Sequence, residues 1–256
     1  MKQLSAFILT YNSEKYLDRI ILQLEKTCDE ILVVDSGSHD STKSIAEKHH
    51  CRFLFRAFDN FKTQRTFAVD NCMHNLVLMI DSDEIPDDEL ISSLNKLKNG
   101  EVILDAYRLK RDWYVLGKKI HALYPVVSPD FPVRLFDRRK SNFENSPVVH
   151  EEPSGYQSIA VLGGALQHYT FESKQEIKEK LERYTSLSAE TLLKKNKSLS
   201  VIQQWLSAIA AFLKWYFGKG GWKDGVTGII LAKYAFDYTF LKYGKARRKY
   251  KVLSIK

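Results

Sequence analysis

The segment Leu76–Glu84 constrains the fold of this chain more than any other stretch. It begins with five consecutive apolar residues, and the carboxylates of Asp81 and Asp83 follow at once. An apolar run of this length predicts a strand buried on both faces, with the carboxylates at the strand's carboxyl end. Open α/β sheets bind their ligands at that end. The segment therefore predicts a largely parallel sheet with a polar site at its edge.

Two aspartates at positions i and i+2 after such a strand suit two arrangements. They can share one divalent cation, or one can bind the cation while the other binds a sugar hydroxyl. Hard oxygen ligands favour Mg²⁺ or Mn²⁺. The alternative is that the acidic residues after the strand only charge the first turn of a helix whose start is set by Pro86. Those residues are Asp83, Glu84, Asp87, Asp88 and Glu89.

Strand patterns alternate with helix patterns along the first 100 residues, which predicts βαβ units. Right-handed crossovers gather the loops after the strands at one edge, so Thr10, Tyr11, Asp35 and Asp81–Asp83 should converge. Asn12 or Ser13 is expected to cap the first helix. The predicted strands are 4–9, 30–35, 52–55 and 76–81, and the predicted helices cover 16–24, 42–49 and 61–71.

The pattern changes after Gly100. Residues 106–115 alternate as an antiparallel strand would, with Tyr107, Leu109, Arg111 and Trp113 on one face. Ser173 and Glu176 form a predicted capping box that opens a long helix to about residue 193. Further short strands are expected at 133–136, 148–150 and 165–169, among prolines that indicate edge strands and long loops.

The C-terminal part of the chain is basic and aromatic. Residues 191–256 hold fourteen Lys and Arg against two Asp, a net +12, which leaves −4 on the first 190 residues of a chain whose total is +8. The apolar stretches 201–217 and 226–241 are interrupted by charged or polar residues and do not predict transmembrane spans. They suit helices lying on a bilayer surface, or helices that pack on the sheet domain or on a second subunit. The basic segment 245–251 would add attraction to anionic headgroups.

The cysteine pattern and the N-terminus favour a cytoplasmic protein. Cys28, Cys51 and Cys72 have neither zinc-site nor disulfide spacing. Met1 and Lys2 lead directly into a strand pattern, so we expect no secretory signal.

Three motifs in order resemble those of glycosyltransferase family 2. They are Thr-Tyr-Asn at 10–12, Val-Asp-Ser-Gly-Ser-x-Asp-Ser-Thr at 34–42 and Asp-Ser-Asp-Glu at 81–84. Three ordered motifs are far more specific than one. The resemblance covers residues 4–100 closely and implies the nucleotide-sugar-binding GT-A fold, a Rossmann-like mixed α/β sheet, with inversion at the anomeric centre.

A weaker likeness extends further along the chain. Val-His-Glu at 149–151, Leu-Gln-His-Tyr at 166–169 and Gly-Trp-x-x-Gly at 221–225 are similar to segments of bacterial lipopolysaccharide core β-1,4-glucosyltransferases. That group uses UDP-glucose and glucosylates an inner-core heptose at the cytoplasmic face of the inner membrane.

The resemblance implies a role for each donor-site residue. Thr10 and Tyr11 would hold uracil, Asp35 would accept a hydrogen bond from it, and Arg65 would reach the diphosphate. Asp81 would bind ribose, Ser82 would belong to the same nucleotide-sugar site, and Asp83 would bind the metal. Each also has a plainer interpretation. Tyr11 would cover the sheet edge, Asp35 and Asp40 would belong to the turn, and Arg65 would be a solvated helix-surface side chain.

Inverting transfer needs a base opposite the leaving diphosphate, and a glutamate with an ordinary pKa of about 4.3 is ionised at neutral pH. The resemblance makes Glu151 the candidate, because the family places its base after a strand at about this distance beyond the metal motif. Glu152 is the alternative, because the sequence has Glu-Glu where the family more often has Glu-Asp. Solvated glutamates before Pro153 are the plainer interpretation. His168 is a further candidate ligand to the metal, or a structural histidine. The metal would neutralise charge developing on the UDP leaving group.

The resulting hypothesis is an inverting, metal-dependent glycosyltransferase that moves glucose from UDP-glucose to an anionic, lipid-linked saccharide. Residues 1–172 would form the GT-A domain, with 1–100 binding the nucleotide sugar and 101–172 the acceptor. Residues 173–256 would form a helical extension that contacts the membrane. UDP-N-acetylglucosamine and UDP-galactose stay open as donors.

Two other classes are less consistent with the sequence. A nucleotidyltransferase would need a glycine-rich, lysine-bearing loop after the first strand. A non-catalytic protein that binds membrane or nucleic acid through the basic tail would not need carboxylates at three strand ends, and we expect no nucleic-acid partner.

Overall fold

The computed structural model describes residues 2–100, 104–143, 152–194 and 200–253. The chain forms two compact units. The first comprises Met1–Asp112 with Phe131–His168, and the second comprises Trp113–Asp130 with Tyr169–Lys256. The second unit thus takes in residues 113–130, which the predicted boundary at 172 assigns to the sheet domain.

The strands and helices are as follows in chain order. The strands are β1 Leu4–Thr10, β2 Glu30–Asp35, β3 Arg52–Phe55, β4 Leu76–Asp81, β5 Glu84–Pro86, β6 Ala106–Val115, β7 Lys118–Lys119, β8 Ala122–Leu123, β9 Val126–Val127, β10 Val133–Asp137 and β11 Ile159–Phe171. The helices are α1 Glu14–Leu24, α2 Thr42–Lys48, α3 Phe61–Asn71, α4 Asp88–Asn99, α5 Lys174–Lys194, α6 Val201–Leu213 and α7 Gly225–Leu253, with a π-helical turn at Lys214–Gly218 and a 3₁₀ turn at Gly221–Asp224.

The first four strands form the parallel part of the sheet, in the order β3-β2-β1-β4. Thr10 lies opposite Asp35 in the β1–β2 register, and Leu9 lies opposite Asp81 in the β1–β4 register. The carboxyl ends of β1, β2 and β4 therefore meet at one edge. The predicted alternation of strands and helices, and the convergence of the strand ends, are confirmed.

The rest of the sheet is antiparallel and curls back on this edge. The order continues β4-β10-β6-β11-β5, and β10 runs antiparallel to both β4 and β6. Only two residues separate β5 from β4 in the chain, although three strands lie between them in the sheet. The sheet must therefore curl to bring β5 near the end of β4. The predicted strands at 133–136 and 165–169 lie within β10 and β11, and the one at 148–150 lies outside the described residues.

Large apolar side chains from the central strands fill the core between sheet and helices. Phe7, Val34, Met79 and Phe136 are almost completely buried and pack with Ala68 of α3. Full burial of a side chain of this size stabilises the fold by about 1.5–3 kcal/mol. These residues occupy the apolar runs that end at the polar edge, so the core fixes where the carboxylates emerge.

One predicted first-turn charge and one predicted helix cap need correction. Asp87 caps α4, its side chain accepting the Leu90 N–H at 2.8 Å, whereas Glu84 lies in β5 and is fully buried. The interpretation of Glu84 as a first-turn charge is therefore wrong. Ser13 holds the N-cap position of α1 but makes no capping bond, because its Oγ accepts the Tyr11 N–H instead.

The helices of the second unit pack on one another. The Trp205 ring of α6 lies 4.6 Å from the Phe240 ring of α7, and the Gln204 amide donates to the Phe240 carbonyl at 2.7 Å. The predicted long helix after Ser173 is confirmed as α5, with the Ser173 hydroxyl accepting the Glu176 N–H. Among the described residues, no helix is long and apolar enough to cross a membrane.

His49 at the end of α2 links that helix to α1 and gives a testable pH dependence. Its Nε2 lies 3.0 Å from Asp18 and its Nδ1 lies 2.9 Å from Glu25, with the side chain 8% exposed. The hydrogen bond to Asp18 raises the pKa of His49 against the opposing effect of burial, and Glu25 raises it further. Both ring nitrogens donate only in the imidazolium form.

Because the pKa of His49 is higher in the folded state than in the unfolded state, the imidazolium stabilises the fold. This stabilisation is complete at pH values below the unfolded-state pKa of about 6.5, and it is lost as the pH rises through the folded-state pKa. We therefore expect His49→Gln to lower the free energy of unfolding more at pH 6 than at pH 9, measured by urea denaturation. The exposed His39, replaced by Gln, is the control. An equal loss at both pH values would contradict this role.

Candidate active site

Hydrogen bonds join the loops that follow β1, β2 and β4. The Thr10 hydroxyl donates to Asp35 Oδ1 at 2.9 Å, which joins the ends of β1 and β2. The Ser13 and Ser82 hydroxyls are 3.0 Å apart, which joins the loop after β1 to the loop after β4. The three sequence motifs therefore form one site.

Asp35 makes the hydrogen bonds of a turn aspartate. Its carboxylate accepts the Gly37 and Ser38 N–H groups at 2.8 Å, in addition to the Ser38 and Thr10 hydroxyls. Asp40 also has the expected turn role, since it accepts the Thr42 N–H and hydroxyl. These bonds fix the loop, and the contact of Asp35 with uracil stays a prediction.

Tyr11 presents an aromatic surface beside this loop. The residue is 61% exposed, so most of its side chain is open to solvent. Its backbone N–H donates to Ser13 Oγ at 3.1 Å, which orders the backbone that carries the ring. An exposed ring on an ordered loop is a suitable platform for a planar base.

A buried arginine on β10 joins the carboxylates after β4. Arg134 Nη2 lies 2.5 Å from Asp81 Oδ2 and 2.5 Å from Glu84 Oε1. Arg111 of β6 donates to the same Glu84 oxygen at 2.9 Å, and the Asp81 N–H donates to Glu84 Oε2 at 3.2 Å. Glu84 is completely buried, so two guanidinium groups compensate a carboxylate that has no access to water.

These arginines keep both carboxylates ionised. Burial by itself raises the pKa of Glu84, but the neighbouring Arg134, His168 and Arg111 outweigh it and hold that pKa well below its usual range. Burial also raises the pKa of Asp81, but the charges of Arg134 and Arg65 outweigh it and lower that pKa. The edge of the sheet therefore carries fixed charges of both signs.

Arg65 lies at the site and is not solvated. Its Nη2 is 3.6 Å from Asp81 Oδ1, its guanidinium lies over the Phe61 ring at 5.5 Å, and the residue is 9% exposed. The interpretation of Arg65 as a helix-surface arginine in solvent is wrong. Its contact with a diphosphate stays a prediction, and a buried cation at this edge is consistent with it.

Asp83 and His168 lie next to each other at the open side of the network. The β5–β11 pairing places His168 opposite Glu84, and its Nδ1 is 3.5 Å from Glu84 Oε1 and 3.6 Å from Asp83 Oδ1. The Asp83 side chain is 38% exposed, so it faces solvent more than its neighbours do.

This pair fits a divalent cation. A carboxylate and an imidazole suit Mn²⁺, and Mg²⁺ is usually bound by one or two carboxylates with water and substrate phosphates in the other positions. Within the described residues, no three His, Cys, Asp or Glu side chains gather as a complete metal site. Asp83 and His168 would thus supply the protein's share of a shell that a substrate completes.

Only one of the two candidate bases lies among the described residues. Glu151 lies outside the described residues. Glu152 accepts the Val133 N–H at 3.3 Å, and its Oε1 is 3.5 Å from Arg108 Nη1. These contacts link Glu152 to β10 and β6, and the role of either glutamate as the base stays a prediction.

Sequence inspection missed the buried network of Glu84, Arg111 and Arg134. One signal was available, since Arg134 interrupts the otherwise apolar strand 133–136. A lone charge in a buried strand requires a buried partner of opposite sign. Its partner is not identifiable from sequence, because β5 and β10 come together only when the sheet curls.

Known proteins resemble this chain in sequence and fold. The model of the family described as Glycosyl transferase family 2 matches residues 5–156. The lipopolysaccharide core biosynthesis glycosyltransferase LpsC of Rhizobium meliloti is 29% identical over 96% of this chain and 93% of its own length. An uncharacterized glycosyltransferase of Rickettsia typhi is 27% identical over 96% of this chain and 87% of its own.

Among solved structures, that of TarS from S. aureus matches with a TM-score of 0.50 and 18% identity, over 97% of this chain. This chain spans 55% of that protein's length. The likeness concerns the fold alone and agrees with the predicted α/β GT-A fold.

The Arg134 network gives a stability prediction. Arg134→Met removes the partner of two carboxylates, and breaking a buried ion pair on one side costs about 3–5 kcal/mol. We expect a loss of that size in the free energy of unfolding, measured by urea denaturation at pH 7. Arg139→Met is the control, because the Arg139 side chain is 64% exposed and loss of its pairing with Asp137 should change little. A loss for Arg134→Met no larger than the control's would contradict the network's structural role.

Proposed function

This chain belongs to glycosyl transferase family 2, and on that premise we propose that it moves glucose from UDP-glucose to a lipid-linked saccharide with inversion, using a divalent cation. The observation that carries the proposal is the joining of three strand-end motifs at one edge, where Asp81 lies beside the cations Arg65 and Arg134. Tyr11 and Asp83 lie on the loops that follow β1 and β4 at the same edge. A nucleoside diphosphate sugar needs an aromatic platform, hydroxyl acceptors and positive charge, and this edge offers all three.

In the proposed donor site, the chain's own residues orient the nucleotide. The exposed Tyr11 ring stacks on uracil beside Thr10 and the Asp35 loop. Asp81, ionised and fixed by Arg134, accepts from the ribose hydroxyls together with Ser82. The Arg65 guanidinium donates hydrogen bonds to the diphosphate. Its ion pair with Asp81 weakens as it pairs with the more highly charged phosphates.

Asp83, with His168 beside it, would hold the cation. A bound Mn²⁺ or Mg²⁺ neutralises charge on the departing diphosphate. The buried Glu84 anchors the Arg111 and Arg134 side chains, so the loop that carries Asp83 is set before any substrate arrives.

Glu151 is the proposed base. Its carboxylate takes the proton of the acceptor hydroxyl while the hydroxyl oxygen forms a bond to the anomeric carbon of glucose. The bond from that carbon to the diphosphate oxygen breaks, and UDP leaves with the electron pair. Attack from the side opposite the diphosphate converts the α-linked donor into a β-glucoside.

The proposed acceptor is an anionic glycolipid, namely an inner-core heptose of lipopolysaccharide or lipooligosaccharide. The name of the LpsC relative, which covers nearly the whole chain, supports lipopolysaccharide core synthesis. The charge of the C-terminal region, +12 over residues 191–256, suits an anionic acceptor. The reaction would take place at the cytoplasmic face of the inner membrane.

Helix α6 supplies a surface for that membrane. Ile202, Leu206, Ile209 and Leu213 form one stripe along the helix, and each is 45–72% exposed. The sequence from Val201 to Lys223 contains no acidic residue and includes three lysines, all exposed: Lys214, Lys219 and Lys223. An exposed apolar stripe in a segment whose only charges are positive suits an anionic bilayer surface. A second copy of the same basic chain would place like charges against each other.

The donor proposal predicts metal-dependent stabilisation by nucleotide. UDP or UDP-glucose with Mn²⁺ should raise the melting temperature, since ligand at a hundred times its Kd adds about 2.7 kcal/mol to the folded state. Asp83→Asn should remove the effect of Mn²⁺ without unfolding the protein, because Asp83 is partly exposed. The shifts in melting temperature with UDP-N-acetylglucosamine and UDP-galactose, measured in parallel, show how these donors compare with UDP-glucose.

The control is Asp88→Asn, which removes an exposed carboxylate on α4 that pairs with Lys26. This variant should keep the full response to UDP and Mn²⁺. A wild-type protein that responds to none of the nucleotides, with or without metal, would contradict the proposed donor site.

The membrane proposal predicts binding to anionic vesicles in sedimentation. Wild type should bind phosphatidylglycerol-containing vesicles, and the double variant Ile202→Ser, Leu206→Ser should bind at least about tenfold less because two apolar side chains no longer insert. Leu187→Ser on α5 is the control, since Leu187 is similarly exposed at 55%. Unchanged vesicle binding, or a dimer that the double variant dissociates, would overturn the lipid assignment.

A further inference from the structure

A cavity of about 240 Å³ lies within the second unit and is lined mainly by aromatic side chains. It is distinct from the strand-end site, whose residues all belong to the first unit. The aromatic lining residues are Trp113, Tyr124, Phe171, Tyr184, Tyr234 and Tyr238.

The rings of this cavity are held in place by polar bonds and by one another. The Trp113 indole N–H donates to Asp130 Oδ1 at 2.8 Å, and the Tyr238 hydroxyl lies 2.6 Å from the Ser188 hydroxyl. The Tyr124 and Tyr238 rings are 4.8 Å apart. Rings fixed in this way form a preorganised wall, which lowers the entropy cost of binding.

A cation lies against two of the rings that line the cavity. The Lys242 ammonium group of α7 lies 5.5 Å from the Tyr238 ring centre and 6.0 Å from that of Tyr124, both of which line the cavity. It also lies 5.0 Å from the ring of Tyr243. In the described part of the chain no carboxylate forms an ion pair with Lys242, so its charge is met by ring faces.

We propose that this cavity binds one anionic sugar ring of the acceptor. The C–H face of a pyranose carries partial positive charge and packs on the electron-rich faces of aromatic rings. The tyrosine hydroxyls at the cavity can bond sugar hydroxyls, and Lys242 would pair with a carboxylate or phosphate on the ring. A volume of about 240 Å³ accommodates one sugar ring of a longer saccharide.

This inference rests on the proposed function in taking the acceptor to be an anionic saccharide. It adds the residues that recognise the acceptor and the chemical feature they select. A purely apolar ligand would not use the cation, and a neutral sugar would leave Lys242 in its present environment. The charge therefore distinguishes an acidic or phosphorylated sugar from the other occupants.

The test is saturation-transfer NMR with three probes on the full chain: glucuronic acid, glucose 6-phosphate and glucose. We expect both anionic sugars to bind about tenfold more tightly than glucose, the effect of one charge-assisted hydrogen bond. Lys242→Met, which keeps an apolar stem beneath the rings, should bring the anionic sugars to the level of glucose. Tyr184→Leu should weaken all three, and Tyr184 is 37% exposed, so the core should tolerate the change.

Lys233→Met is the matched control, because Lys233 lies on the same helix and pairs on the surface with Asp237. It should bind all three sugars as wild type does. Equal binding by wild type and Lys242→Met, equal affinity for glucose and the anionic sugars, or no binding of any probe would overturn the proposal.

The response of each variant to UDP and Mn²⁺ is measured on the same samples. A retained UDP response with no sugar binding refutes the cavity and leaves the donor site standing. The absence of both would refute the proposed function as well.

Discussion

The ion pairs of Arg134 with Asp81 and Glu84 are the interaction on which the proposed active site depends. Glu84 is fully buried at the start of β5, and it can stay ionised there only because Arg134 and Arg111 face it. The same Arg134 group bonds Asp81, the last residue of β4. One guanidinium therefore joins the two strands that flank Ser82 and Asp83, and fixes the short loop in which those residues lie. A rigid loop at a strand end can present a metal ligand with little reorganisation on binding.

The parallel half of the fold could be predicted from sequence because its information is local. Apolar runs that end at Thr10, Asp35 and Asp81 specify buried strands, and the handedness of βαβ crossovers then brings their ends together. The hydrogen bond between Thr10 and Asp35 agrees with that prediction. The antiparallel half depends on pairings between segments distant in the chain. The partners of Arg134 lie on β4 and β5, and no periodicity in a single segment indicates them.

The same distinction explains the residues that were misinterpreted. Arg65 has the spacing of an ordinary helix residue, and only the packing of α3 shows that its guanidinium approaches Asp81. Glu84 follows an acidic motif and precedes a helix, so first-turn charge was a reasonable local interpretation, yet the pairing of β5 with β11 buries it. In the second unit, no sequence pattern indicates that Trp113 and Tyr238, far apart in the chain, line one cavity. Burial of charge and assembly of cavities are properties of tertiary structure.

The measurement that tests the proposed chemistry most directly is the anomeric configuration of the product. Purified protein would be incubated with UDP-glucose carrying ¹³C at the anomeric carbon, Mn²⁺ and a heptose-containing inner-core acceptor, and the product examined by NMR. We expect a β-glucoside formed in equal amount with UDP, and loss of both products in Glu151→Gln, because inversion requires a base opposite the diphosphate. An α-glucoside, or transfer that persists undiminished in both Glu151→Gln and Asp83→Asn, would contradict the proposed mechanism.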